Sequence, residues 1–162
     1  MAFDPAQAAV CYTGPARAAV GAWKERGLRR FAPIAAELLV QRVPRPAADV
    51  ITYIPPDGDR SVKRGYRPAR DLADALGERW SLPVACLLER TRRVARQTTL
   101  SRADRRRNVR GAFRAARTLV PAAVVLVDDV YTTGATVDAA AAALRSAGAG
   151  PIVVVTFARA SR

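Results

Sequence analysis

The sequence predicts an α/β fold, a parallel sheet flanked by helices on both faces. Three observations predict it. Apolar runs of strand length recur at 49–54, 83–88, 122–127 and 151–157, and continuous apolar runs suit strands buried on both faces. Stretches of helical spacing lie between them, the alternation that builds a parallel sheet. Half of the 162 residues are hydrophobic, enough for one ordinary domain to bury a core.

Each element has its own reason. Gly14 to Gln41 reads as two helices, the first to Arg26, a break at Gly27, the second from about Arg30. Ala18, Trp23, Ile34, Leu38 and Leu39 trace their inward face. A proline-rich connection over 42–47 leads to a strand from Asp49 to Ile54, stopped by Pro55 and Pro56. Residues 57–65 form a polar loop. Tyr66 to Trp80 reads as a helix with Leu72, Ala73, Leu76 and Trp80 on one face. Pro83 to Leu88 is the next strand and Gly111 to Ala115 a short one. The stretch between Leu88 and Gly111 is too long for an ordinary connection, and such loops are usually functional. Ala122 to Val127 is a strand expected to end at Asp128 and Asp129. Thr136 to Ala147 is its alanine-rich helix, with Gly148 as the stop, and Pro151 to Phe157 is a final buried strand.

Composition excludes several chemistries. The chain has no histidine, which removes the usual general base and the triads that depend on it. Its two cysteines, Cys11 and Cys86, cannot by themselves make a structural zinc site, which needs about four ligands. They are expected to be buried thiols acting as small hydrophobes. No apolar run approaches the ~20 residues that span a bilayer. The opening Met1-Ala-Phe-Asp-Pro5 has neither a basic region nor a long apolar stretch, so a cytoplasmic location is expected and no membrane partner.

The net charge of +13 is unevenly spread. Eleven arginines and one acid, Asp104, lie between Arg90 and Arg117, so that window carries +10 and the rest of the chain +3. A local excess of this kind calls for a local anionic partner, pyrophosphate or nucleic acid. Arginine outnumbers lysine 25 to 2, so part of the excess reflects general composition.

The most informative stretch is Val124-Val-Leu-Val-Asp-Asp-Val-Tyr-Thr-Thr-Gly-Ala-Thr136. A short apolar strand delivers two adjacent carboxylates to the carboxyl edge of the sheet, where open α/β sheets bind ligands. Thr132, Thr133, Gly134, Ala135 and Thr136 then form a turn of small residues into a helix. Such a turn can aim backbone N–H groups and hydroxyls at one phosphate, helped by the positive helix end. Capping alone would also use Thr and Gly, but it does not explain the preceding carboxylates. A phosphate cradle beside paired carboxylates suits a sugar phosphate. Trp23 and Trp80 read as core. Tyr131, beside the acids, either shapes the site or packs on the sheet.

Val124 to Thr136 closely resembles the phosphoribosyl pyrophosphate (PRPP) signature of type I phosphoribosyltransferases. The rest resembles one branch of them, the ComF/GntX family, linked to competence for DNA uptake. The matching pieces are Tyr12-Thr-Gly-Pro-Ala-Arg17 with Trp23-Lys24, Arg64-Gly65-Tyr66, Gln97-Thr-Thr-Leu100, and Arg105-Arg-Arg-Asn108 running into Gly111-Ala-Phe113. The resemblance runs in order from about Tyr12 to Phe157. It implies a type I phosphoribosyltransferase-like fold in one domain over 1–162, with a helical N-terminal extension at 1–47 and a PRPP-binding core at 48–162. It implies that Asp128 and Asp129 hold the ribose hydroxyls, directly or through Mg²⁺, the expected cofactor. Thr132 to Thr136 would hold the 5′-phosphate. Arg64 and Gly65, at the end of their own loop, would face pyrophosphate, and so would Arg92 and Arg105 from a hood over about 92–107 that closes over PRPP, with Arg105 acting in catalysis beside the two aspartates. Type I relatives often dimerise, so a homodimer is compatible with the resemblance.

The chain departs from the family twice. Members commonly carry an N-terminal cysteine cluster resembling a zinc ribbon, whereas here Cys11 alone could be its remnant, and zinc is not supported. After Arg64-Gly65-Tyr66 the family usually continues Asn-Gln, but this chain has Arg67-Pro68, so no role is carried over to that pair. Three functions compete at this level. The first is a Mg²⁺-dependent phosphoribosyltransferase, releasing pyrophosphate and acting on an unidentified, nucleobase-like acceptor. The second is a nucleic-acid-binding competence module, and the third a PRPP sensor without turnover. Displacing pyrophosphate needs positioning, charge neutralisation and exclusion of water, all within reach of a chain without histidine.

Overall fold

The computed structural model describes residues 6–28, 30–56, 67–91, 111–116 and 122–160. Arg64, Gly65, Arg92 and Arg105, the expected pyrophosphate-facing residues, lie outside them. In chain order the elements are β1 (Gln7–Cys11), α1 (Gly14–Arg26), α2 (Phe31–Val40), β2 (Val50–Tyr53), α3 (Pro68–Trp80), β3 (Leu88–Arg90), β4 (Phe113–Ala115), β5 (Val124–Tyr131), α4 (Ala135–Ser146) and β6 (Ile152–Arg159). Four strands form one parallel sheet in the order β1-β6-β5-β2. Beyond β2, Val84 adds a single parallel bridge to Ile51. β3 and β4 pair antiparallel as a separate ribbon.

The unbroken apolar run of β5 follows from burial on both faces. Val125 and Val127 point into one cluster, with Val20 and Trp23 of α1, Leu39 of α2 and Leu72 and Leu76 of α3. Val124 and Leu126 point into the other, with Val137 and Leu144 of α4, Leu88 of β3 and Phe113 of β4. A strand alternates its side chains between two faces, so two apolar faces require a continuous apolar sequence. The expected parallel sheet with helices on both faces is what the chain forms.

Helix limits follow local chemistry. Pro15 and Pro68 sit in the first turns of α1 and α3, where a missing N–H is harmless. α1 stops at Gly27, whose φ of 66° is left-handed. After α4, Gly148 N–H donates to the Arg145 carbonyl and Ala149 N–H to that of Leu144, closing the helix at the expected stop.

Several expectations change. The segment read as a helical N-terminal extension begins with β1, which pairs with β6 at the sheet edge. Ala18 and Ile34 face solvent, Ile34 at 55% exposure, while Val20 and Ala35 take the inward positions. The run from Pro83 to Leu88 is not one strand. Val84 bridges to Ile51, Leu87 N–H turns to the buried Thr52 hydroxyl, and Leu88 starts the ribbon. Both thiols are exposed rather than buried, because Cys11 ends the edge strand and Cys86 lies where the chain leaves the main sheet. Trp23 and Trp80 are core, as read.

Candidate functional site

Unequal strand lengths place the site. β2 ends at Tyr53, opposite Val127, and Ile54 N–H donates to the Val127 carbonyl at 2.9 Å. β5 continues to Tyr131, still in register with β6 through Asp128↔Thr156 and Tyr131↔Arg159. The strand therefore does not end at the acid pair; it carries both acids past the end of its neighbour. The connections also diverge here. β5 crosses through α4 to β6 on one side, whereas β2 crosses through α3 to Val84 on the other. Open sheets bind ligands in the crevice at such a point.

The two carboxylates are differently partnered. Asp129 N–H donates to Asp128 Oδ1 at 2.9 Å. Asp129 Oδ2 lies 2.8 Å from Lys24 Nζ, the acid side chain 13% exposed and the lysine 40%. Burial first, and then the Asp129 charge, raise the Asp128 pKa to about 7, with Lys24 pulling the other way. Burial lowers the Lys24 pKa, but the Asp129 and Asp128 charges outweigh it and the ammonium is held above its ordinary value. Near neutral pH the site thus holds an ion pair beside a carboxyl close to its midpoint.

Lys24 was not among the residues expected here. α1 fixes it from the face opposite α4. Its neighbour Trp23 is fully buried, 5.2 Å from the Phe31 ring, which stands edge-on to Phe157 at 5.1 Å. A signal did exist, since Lys24 is one of two lysines in a chain with 25 arginines.

The turn after β5 is built over Tyr131. Gly134 is buried with φ 77°, and a Cβ there would collide with the Tyr131 hydroxyl and lie 2.7 Å from its Cζ. Tyr131 therefore supports the turn from below, with the Arg159 guanidinium 5.1 Å over its ring. Ala135 N–H reaches Thr133 Oγ1 at 3.4 Å, and Asp138 N–H donates to the Gly134 carbonyl at 2.9 Å. The first N–H groups of a helix have no intrahelical acceptor, so this end of α4 suits an anion. Asp128, Asp129 and Thr132 to Thr136 thus meet at one edge of the sheet.

The donor set limits what metal could bind. Among the described residues no three His, Cys, Asp or Glu side chains cluster. The edge offers two carboxylates, one of them ion-paired. Mg²⁺ commonly takes one or two carboxylates, several waters and substrate phosphates, so this set fits a cation shared with a phosphorylated ligand and not a closed metal site.

The chain as a whole is similar to known proteins. The chain is 32% identical over 154 residues to the DNA utilization protein YhgH of Salmonella typhi, covering 88% of this chain and 66% of that protein. It is 32% identical over 142 residues to competence protein F of Haemophilus influenzae, covering 85% of this chain and 62% of that protein. The chain belongs to the ComF/GntX family. It spans somewhat less than two thirds of those relatives' length. No family model matches it. Among solved structures, the glutamine PRPP amidotransferase from B. subtilis, complexed with ADP and GMP, aligns with TM-score 0.50 and 27% identity, over 79% of this chain and 25% of that one. A structure described as the allosteric regulatory enzyme of purine biosynthesis aligns with TM-score 0.55 at the same identity and coverage. This ComF/GntX member accordingly has a phosphoribosyltransferase-like fold.

Proposed function

We propose that this protein binds PRPP at the carboxyl edge of β5 and transfers its phosphoribosyl group to a nucleobase-like acceptor, in a role tied to DNA uptake or use. The observation that carries this is the acid pair extended past β2, next to the small-residue turn over Tyr131. The relatives' names, competence protein F and DNA utilization protein, support the wider role.

Asp128 and Asp129 would accept hydrogen bonds from the ribose hydroxyls. The N–H groups and hydroxyls of Thr132 to Thr136 would hold the 5′-phosphate at the positive end of α4. Mg²⁺, shared between the acids and the ligand, would supply charge neutralisation for departing pyrophosphate. Arg64, Gly65, Arg92 and Arg105 remain the proposed pyrophosphate side, with Arg105 acting during transfer. Charge develops on the leaving group as the bond breaks, so cations placed there favour the transition state over the ground state.

Calorimetric titration of PRPP with and without Mg²⁺, with an Asp128→Asn/Asp129→Asn double variant as control, tests the reading. Saturable, Mg²⁺-dependent binding that the folded double variant loses is the expected result. Wild-type affinity in that variant, or no binding by folded wild type, overturns it. Pyrophosphate release across a panel of bases then separates a transferase from a PRPP sensor. The +10 window and the relatives' names favour one second reading, a nucleic-acid-binding module.

A further inference from the structure

We infer that Lys24 is a displaceable counter-ion of this site. In the ligand-free protein it holds Asp129 against free divalent cations, and it passes to the ligand's phosphates when ribose hydroxyls, or a cation carried by the ligand, take the carboxylate. This rests on reading the acid pair as PRPP-binding.

Geometry makes the lysine the partner that moves. The pair is tight, at 2.8 Å, but its ends are held differently. Asp129 is on a sheet strand and only 13% exposed, whereas the lysine side chain is 40% exposed on a flexible four-carbon stem. The stem's origin is fixed, because buried Trp23 precedes it and α1 ends at Gly27. The ammonium can therefore swing within a short radius without leaving the site.

The choice of residue matters too. Arginine could grip Asp129 through two parallel hydrogen bonds and would be harder to dislodge. A chain with 25 arginines has lysine at this position. Charge favours the same exchange of partners. A free divalent cation must expel Lys24 and then finds only two carboxylates, with no third His, Cys, Asp or Glu clustered among the described residues. A phosphorylated ligand brings its own negative charge, so the expelled ammonium gains a new partner. Lys24 would thus select for a cation that arrives with a sugar phosphate.

Mn²⁺ alone, followed by electron paramagnetic resonance, tests this on wild type, Lys24→Met and Lys24→Arg. Lys24→Met should bind free Mn²⁺ roughly fivefold more tightly, the scale of a partly exposed ion pair, and PRPP more weakly by calorimetry. Lys24→Arg should keep free Mn²⁺ out. Should Lys24→Met not fold, Lys24→Gln serves in its place. Unchanged or weaker Mn²⁺ affinity in the folded neutral variant overturns the inference. If PRPP still binds wild type and needs Asp128 and Asp129, that failure leaves the PRPP reading standing. If wild type binds no PRPP, both fall together.

Discussion

Asp128 carries a stability signature of its own. Its pKa in the fold is about 7 against an ordinary 3.8, so the folded state binds this proton more tightly than the unfolded chain. Stability from this group is greatest below about pH 4, falls as pH rises from about 4 to 7, and levels off above. The loss is at most about 4 kcal/mol, because each tenfold difference in proton affinity between the two states corresponds to about 1.4 kcal/mol. Other carboxylates impose their own slopes, so the measurement is a comparison. Urea unfolding of wild type and Asp128→Asn, metal-free at pH 4.5 and 7.5, should show wild type losing ground to the variant at the higher pH. Parallel profiles would show that Asp128 is not held neutral. Gly134 gives a second prediction at this scale. On the proposed PRPP reading the backbone would approach a phosphate there, and the Tyr131 hydroxyl beneath it is a second and independent reason for glycine. Gly134→Val should lose PRPP affinity and also about 1–3 kcal/mol of stability from strain and collision. A variant of wild-type stability would show that the turn has room over the ring.

At the scale of elements, the site exists because β5 outlasts β2, and helix packing keeps the neighbouring edge in place. Gly77 of α3 lies against the bridge segment, where a Cβ would meet the Val84 side chain and sit 3.0 Å from the Leu82 carbonyl. Gly77→Ala should therefore destabilise by about 1–3 kcal/mol, although alanine is the better helix former. A stabilised variant in chemical unfolding would mean the segment yields freely. The same packing explains which elements were legible in sequence. β5, β2 and β6 are buried on both faces and read as apolar runs, and the buried face of α3 repeats through Leu72, Leu76 and Trp80. β1 was missed because Gln7-Ala-Ala-Val-Cys11 is a short edge strand with little β-branched character and exposed ends. The run at 83–88 misled because a continuous apolar stretch does not say where the chain changes sheets. The acid pair and its turn were legible as local sequence. The Lys24–Asp129 contact was not, since it joins α1 to β5 and only the tertiary fold brings them together.

The whole molecule divides its charge from its described core. The Arg90–Arg117 window holds +10 of the +13, and of that window only Arg90, Thr91 and residues 111–116 are described. β3 and β4 bring its two ends together. Thr91 N–H donates to the Ala112 carbonyl at 3.0 Å, and Arg90 lies 4.7 Å over the Phe113 ring. Leu88 and Phe113 seat this ribbon on the face shared with α4, whose first turn follows the acid pair. The same arginines could meet pyrophosphate or a nucleic-acid backbone, and salt distinguishes the two. A nucleic-acid role predicts that log affinity for single-stranded DNA falls steeply with log salt, by about 0.7 for each phosphate contacted. Replacing Arg105, Arg106 and Arg107 together by alanine should then flatten the slope, by about 0.7 for each arginine that touched a phosphate. A transferase role predicts instead that Arg105→Ala lowers turnover far more than PRPP affinity, because a group acting on the leaving charge stabilises the transition state above the ground state. Fluorescence anisotropy over a salt series and pyrophosphate release, on the same variants, measure both. A flat or absent DNA response removes the nucleic-acid reading. Equal losses of affinity and turnover in Arg105→Ala would make the window a static clamp on PRPP. If DNA binding is steep in salt and PRPP displaces the DNA, one cluster of arginines serves both anions.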